Sequence, residues 1–135
     1  MSQGHGYIFD ESFVADAAVG AYRVVIAGET GDASAKHVKN PTQDNATIIG
    51  VSQHSTSASG DTVLVRRAGL TKLEVATGNV TYGIALRIHD AQGRADRQTG
   101  AWVSGDGVIG YAEEASAASG DVIECWLAIR TLLGG

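Results

Sequence analysis

Near the C-terminal end of the chain, apolar and other residues alternate with period two. Over 122–130, Ile123, Cys125, Leu127 and Ile129 fall on one side and Glu124, Trp126, Ala128 and Arg130 on the other, which predicts a β-strand with one buried face. Val63 and Val65 share the inward register, and Leu73 with Val75 resume it after an interruption at Ala68-Gly69. β-Branched content predicts further strands over 22–27, 47–52, 80–88 and 108–112. The Ser- and Ala-rich segments 52–59 and 112–119 each run into a glycine, Gly60 or Gly120, and are expected to make a turn or two of helix. The polar stretches 28–45 and 90–100 read as surface loops.

The pattern repeats. IIGVSQHSTSASGDTVLVRRAGL (48–70) aligns without a gap with VIGYAEEASAASGDVIECWLAIR (108–130), so that Ile49, Gly50, Ala58, Ser59, Gly60 and Asp61 recur as Ile109, Gly110, Ala118, Ser119, Gly120 and Asp121. A weaker match upstream pairs Gly20-Ala-Tyr-Arg-Val-Val with Gly78-Asn-Val-Thr-Tyr-Gly. The chain therefore reads as two half-domains, about 18–70 and 76–130, preceded by an N-terminal arm over 1–17. Short strands, glycine turns and no long amphipathic helix predict an all-β fold, a compact antiparallel β-barrel or β-sandwich made of two repeated halves. With 135 residues, 18–135 is expected to form a single β domain.

Composition narrows the function. The formal net charge is −5, and no stretch gathers the Lys and Arg that binding a phosphate backbone requires, so nucleic acid is not expected as a partner. No apolar run approaches the length of a membrane span, and MSQGHGYIFDESF lacks the basic start and apolar run of a signal peptide, which points to synthesis in a cytoplasm and to no membrane partner. Cys125 is the single cysteine, and its apolar surroundings predict a buried thiol.

Candidate chemistry is sparse. His5, His37, His54 and His89 lack metal-ligand spacing and read as solvent-facing loop residues. His54-Ser55 with Asp61 suggests a nucleophile and its base, but the second copy places Glu114, Ala115 and Asp121 there, so the shared feature is a Gly-Asp turn. Glu113 and Glu114 are sequence neighbours and read as charged surface. No phosphate-binding glycine loop follows any strand. The expectation is a protein without catalytic residues, cofactor or metal.

Interaction surfaces are the remaining candidates. Tyr7, Ile8, Phe9, Phe13 and Val14 precede the first repeat half, and both phenylalanines of the chain lie in this segment. Tyr7, Phe9 and Phe13 are thus contact candidates, with packing on the protomer's own barrel as the other reading. Trp126 projects from the non-core side of its strand and is the candidate for a subunit interface.

The run Gly20-Ala-Tyr-Arg-Val-Val, the Ile-Gly-Val-Ser of 49–52, the Val108-Ile-Gly-Tyr-Ala-Glu-Glu-Ala block and the Ser-Gly-Asp leading into Val122-Ile-Glu-Cys-Trp-Leu resemble the capsid decoration, or cement, proteins of tailed bacteriophages. The likeness spans about 18–130. It implies a β-tulip-like protomer that forms a homotrimer at threefold and quasi-threefold positions. Its partner would be the major capsid protein, bound on the outer surface of the virion shell after expansion and thereby stabilised. One departure is Gly20-Ala21, where the family opens its first turn with Gly-Asp. A carbohydrate- or receptor-binding β module of a phage tail or bacterial surface is the alternative, and a small hydrolase built from distant residues a third.

Overall fold

The computed structural model describes residues 8–28, 36–42, 47–98 and 107–131. These form nine strands: β1 (Phe9–Ala15), β2 (Val24–Ala27), β3 (His37–Lys39), β4 (Ile48–Ser52), β5 (Thr62–Glu74), β6 (Ala85–Ile88), β7 (Ala95–Arg97), β8 (Gly107–Ala112) and β9 (Val122–Thr131). The fold is an all-β barrel, with the strands in the order β1-β3-β2-β4-β5-β9-β8-β6-β7.

β1 also pairs with β5, so β1, β3, β2, β4 and β5 close into a five-stranded ring. The ring is antiparallel except at β1 and β3, which run parallel through Val14–His37 and Ala15–Val38. Closure leaves none of these strands with an open edge. Phe13, Ala15, Val19, Val25, Val38, Val63 and Val65 fill it, with Ile49 packed alongside. A second ring runs from the C-terminal part of β5 through β9, β8, β6 and β7 and returns to β5 by a parallel bridge between Val75 and Ala95. The larger core cluster joins Leu73, Val75, Leu86, Ala95, Ile109, Ile123 and Cys125 of this second half to Val24, Ile26, Ile48 and Val51 of the first. β2 alternates between the two clusters, Val25 facing one and Val24 and Ile26 the other, which is why all three are apolar.

Hydrogen bonds repeat at the spacing of the sequence repeat. Gly60 N donates to Ala15 O at 2.8 Å, and Gly120 N to Val75 O at 2.8 Å. Ala15 N donates to Asp61 O, and Val75 N to Asp121 O. Ala15 and Val75 are thus equivalent, and β1 corresponds to the C-terminal part of β5. The long strand β5 is shared: its first part closes one ring on β1 and β4, and the residues from Gly69 onward pair with β9. Gly69, at φ +98°, is the pivot where the strand changes partners.

Several expectations are corrected. Within the arm expected over 1–17, Phe9–Ala15 is not detached from the repeat, because it is the first strand of the first copy and pairs with β5 from Phe9 to Val14; residues 1–7 lie outside the described residues. The interruption expected at Ala68-Gly69 is a bend within one strand. The Ser- and Ala-rich segments form bends and turns, and no described residue is helical. Glycine with φ near +90° at Gly60 and Gly120 closes each loop without a preceding helix. β6 begins at Ala85 and not at 80, since residues 81–84 form a turn with Gly83 at φ +85°.

Two motif residues of the repeat now have a physical cause. A Cβ on Gly50 would lie 2.3 Å from the carbonyl oxygen of Arg66, and one on Gly110 would lie 2.0 Å from that of Trp126. The neighbouring strand passes too close for any side chain, so each Ile-Gly strand needs its glycine.

Candidate functional site

β1 sorts its aromatic residues by position. Phe13 is 6% exposed and belongs to the first-ring core, with the Arg67 guanidinium 5.7 Å from the ring centroid. Its expected role in external contact is therefore corrected: the inward register of β1 seats it opposite Val63. Phe9 is 42% exposed and Ile8 47% exposed. The register of β1 against β5 shifts between Phe9 and Asp10, and Phe9 lies opposite Ala68. Tyr7 lies outside the described residues.

Charged side chains flank this apolar pair. Arg66 holds Asp10, and Glu11 accepts from both Lys36 and Arg67. The bond from Lys36, then that from Arg67, keeps the Glu11 carboxyl below its ordinary value. This end of β1 therefore presents Ile8 and Phe9 beside a small ionic network, a mixture suited to a contact with an apolar centre and a polar rim.

Trp126 lies on the outer face of β9, 41% exposed, because Cys125 and Leu127 on either side point inward. Leu70 of β5 stands opposite it on one side and Tyr111 of β8 on the other. Arg130 Nη2 donates to Tyr111 Oη at 3.0 Å, and Lys72 stands opposite Glu124. The result is a three-strand apolar stripe of Leu70, Trp126 and Tyr111 with charges along its border. Leu70 and Tyr111 did not stand out in the sequence, since only the pairing register sets them beside Trp126. Val122 on the same face is also exposed.

The histidines are not uniformly loop residues. His37 lies on β3, half-buried, with Nδ1 2.6 Å from Asp16 Oδ1. His89 Nδ1 is 3.5 Å from Asp96 Oδ2. His5 lies outside the described residues. His54 Nε2 accepts from Leu64 N, while Asp61 Oδ2 accepts from Ser57 N and Ala58 N, and these two amides hold the Asp61 carboxyl below its ordinary value. Asp121 Oδ2 does the same for Ala117 N and Ala118 N. The aspartates of both Gly-Asp turns tie down their own loops, and Asp61 does not orient His54.

Burial, then the nearby Glu113 charge, pushes the Cys125 thiol up to about 12, so it stays protonated at neutral pH. Among the described residues no group of three His, Cys, Asp or Glu side chains is placed to hold a metal ion. A cleft of about 280 Å³ is lined by Ala18, Gly20, Arg23, Asn40 and Gln92. Arg23 there binds Glu74 and the Gln92 carbonyl, and Asn40 Nδ2 donates to Ala18 O.

No protein-family model matches the chain, and no curated protein is similar to it in sequence. Among solved structures it is similar to the head fiber gp8.5 N base of bacteriophage phi29, with a TM-score of 0.65 and 20% identity over 96% of this chain and 100% of that one. The chain thus shares, over almost its whole length, the fold of a bacteriophage head-fibre base.

Proposed function

We propose that the protein is a structural component of a bacteriophage head, acting by binding and not by catalysis. The observation that carries this reading is the fold held in common with the phi29 head-fibre base along 96% of the chain. In this reading it decorates the outer surface of the major capsid protein shell as homotrimers at threefold and quasi-threefold positions. Two apolar features of the surface support this reading. The Leu70–Trp126–Tyr111 stripe is suited to subunit contact, as a large aromatic between apolar neighbours makes a favourable contact centre. Ile8 and Phe9, with Tyr7 just before them in the chain, are suited to the capsid.

Stabilisation of the shell then follows from mass action, since a ligand that binds only intact heads raises their resistance to rupture with its occupancy. The experiment adds purified protein to heads that lack it and measures co-sedimentation and rupture temperature. Saturable binding with a higher rupture temperature is expected. Absence of binding to any head would overturn the capsid partner, and binding without a change in rupture would overturn the stabilising role. Monomers in sedimentation, both free and on heads, would overturn the trimer.

A further inference from the structure

We propose that the loop between β4 and β5 is an acid-released latch, while its counterpart between β8 and β9 holds at the same pH. The two loops begin alike: Gln53 N donates to Leu64 O at 2.9 Å, and Glu113 N to Glu124 O at 2.8 Å. Each then closes with a side chain that accepts the returning amide. In the second loop the acceptor is a carboxylate, Glu114 Oε1, 2.7 Å from Glu124 N. In the first it is an imidazole, His54 Nε2, 3.1 Å from Leu64 N.

The contacts of His54 fix its tautomer. Nδ1 is 3.1 Å from the Ser55 carbonyl oxygen, which can only accept, so Nδ1 carries the hydrogen. Nε2 faces an amide N–H, so it must be bare. A second proton can enter only at Nε2, where it would meet the Leu64 N–H. Protonation of the ring and the bond to Leu64 therefore exclude each other. A protonated imidazole has no acceptor left, whereas a carboxyl group keeps an oxygen that can accept the amide in either protonation state.

The ionic groups on the surrounding elements are engaged elsewhere. On the same loop, Asp61 accepts from Ser57 and Ala58. On β5 and β1, Arg66 pairs with Asp10, and Arg67 with Glu11, which also takes Lys36. The release is local, because Thr56 N still donates to Val19 O and Gly60 N to Ala15 O. Acid would free His54 from Leu64, while the Gln53 N–Leu64 O bond holds the start of the loop and the Asp61 turn its end.

Amide exchange on the full chain, read by NMR as protection factors at pH 8 and pH 5, tests this. The protection factor of Leu64 should fall by up to about tenfold, as expected for one net hydrogen bond, while that of Glu124 stays constant. His54→Glu should keep Leu64 protected at both values, since it copies the second loop. Nitrogen shifts of His54 at pH 8 should show the hydrogen on Nδ1. Constant protection of Leu64 in the unaltered chain, an equal loss in His54→Glu, or a hydrogen on Nε2 at pH 8 would each overturn the latch.

Discussion

Arg66 grips Asp10 with two nitrogens at once, Nε 2.8 Å from Oδ1 and Nη2 3.1 Å from Oδ2. Its remaining nitrogen, Nη1, donates to the Leu70 carbonyl at 3.0 Å, across the pivot at Gly69. One side chain thus ties the first strand to the strand that both rings share. Arg66→Ala leaves Asp10 half-buried without its cation and is expected to cost about 1–3 kcal/mol in urea unfolding. Asp10→Ala with Arg66→Ala should cost less than the sum of the single changes, as a double-mutant cycle will show.

Deleting residues 1–17 removes β1 and opens the first ring, so the truncated chain is expected to unfold or aggregate, read by circular dichroism and light scattering. Phe13→Ala is expected to cost about 3–5 kcal/mol, the range for a buried aromatic. Ile8→Ser with Phe9→Ser should change stability by less than Phe13→Ala does, about 1 kcal/mol, because both side chains are nearly half exposed and outside the core clusters. If this end of β1 meets the capsid, the same double change will weaken binding to heads.

Gly50→Ala and Gly110→Ala each force a methyl group to within 2.3 Å or less of a backbone oxygen. A strand cannot yield at that point without losing its pairing, so each change is expected to cost roughly 2 kcal/mol or more. Gly60→Ala and Gly120→Ala meet no neighbour within 4 Å but must hold φ near +90°. They should be milder, about 1 kcal/mol. Thermal melts of the four variants will rank them.

Acid should weaken the fold through Glu11 and Asp61. Both are held below their ordinary values in the folded chain, so the unfolded chain binds more protons as pH falls. Their contribution is whole above the ordinary carboxylate range near pH 4 and is lost below it. Unfolding midpoints from pH 6 to 3 should fall less steeply in Glu11→Gln with Asp61→Asn than in the unaltered chain. Salt should diminish the Glu11 part, which is exposed to solvent.

Cys125 should resist alkylation in the folded protein and react promptly in urea, because its thiol is buried and stays protonated up to about pH 12. An unfolded thiol ionises near its ordinary value of about 8.5, so this stabilising term is present below that pH and declines above it. Rates of iodoacetamide labelling against urea concentration measure both states.

The duplicated core was legible wherever the repeat kept its letters. Ile49-Gly50 and Ile109-Gly110, with the Ser-Gly-Asp turns after them, carry backbone demands that only particular residues meet, so the sequence preserves them. Period two likewise determined that Cys125 and Leu127 face inward and Trp126 outward. The first strand of the repeat was not legible. FDESFVADA and GLTKLEVAT share no identical residue in register, because a strand closing a barrel asks only for apolar side chains at alternate places, which Phe13 and Leu73 or Ala15 and Val75 satisfy equally. Tertiary structure alone decided that Phe9–Ala15 belongs to the ring, since that choice rests on pairing with β5 some fifty residues away. It also decided that Leu70 and Tyr111 flank Trp126, because neighbours across strands are set by register, which no local pattern records.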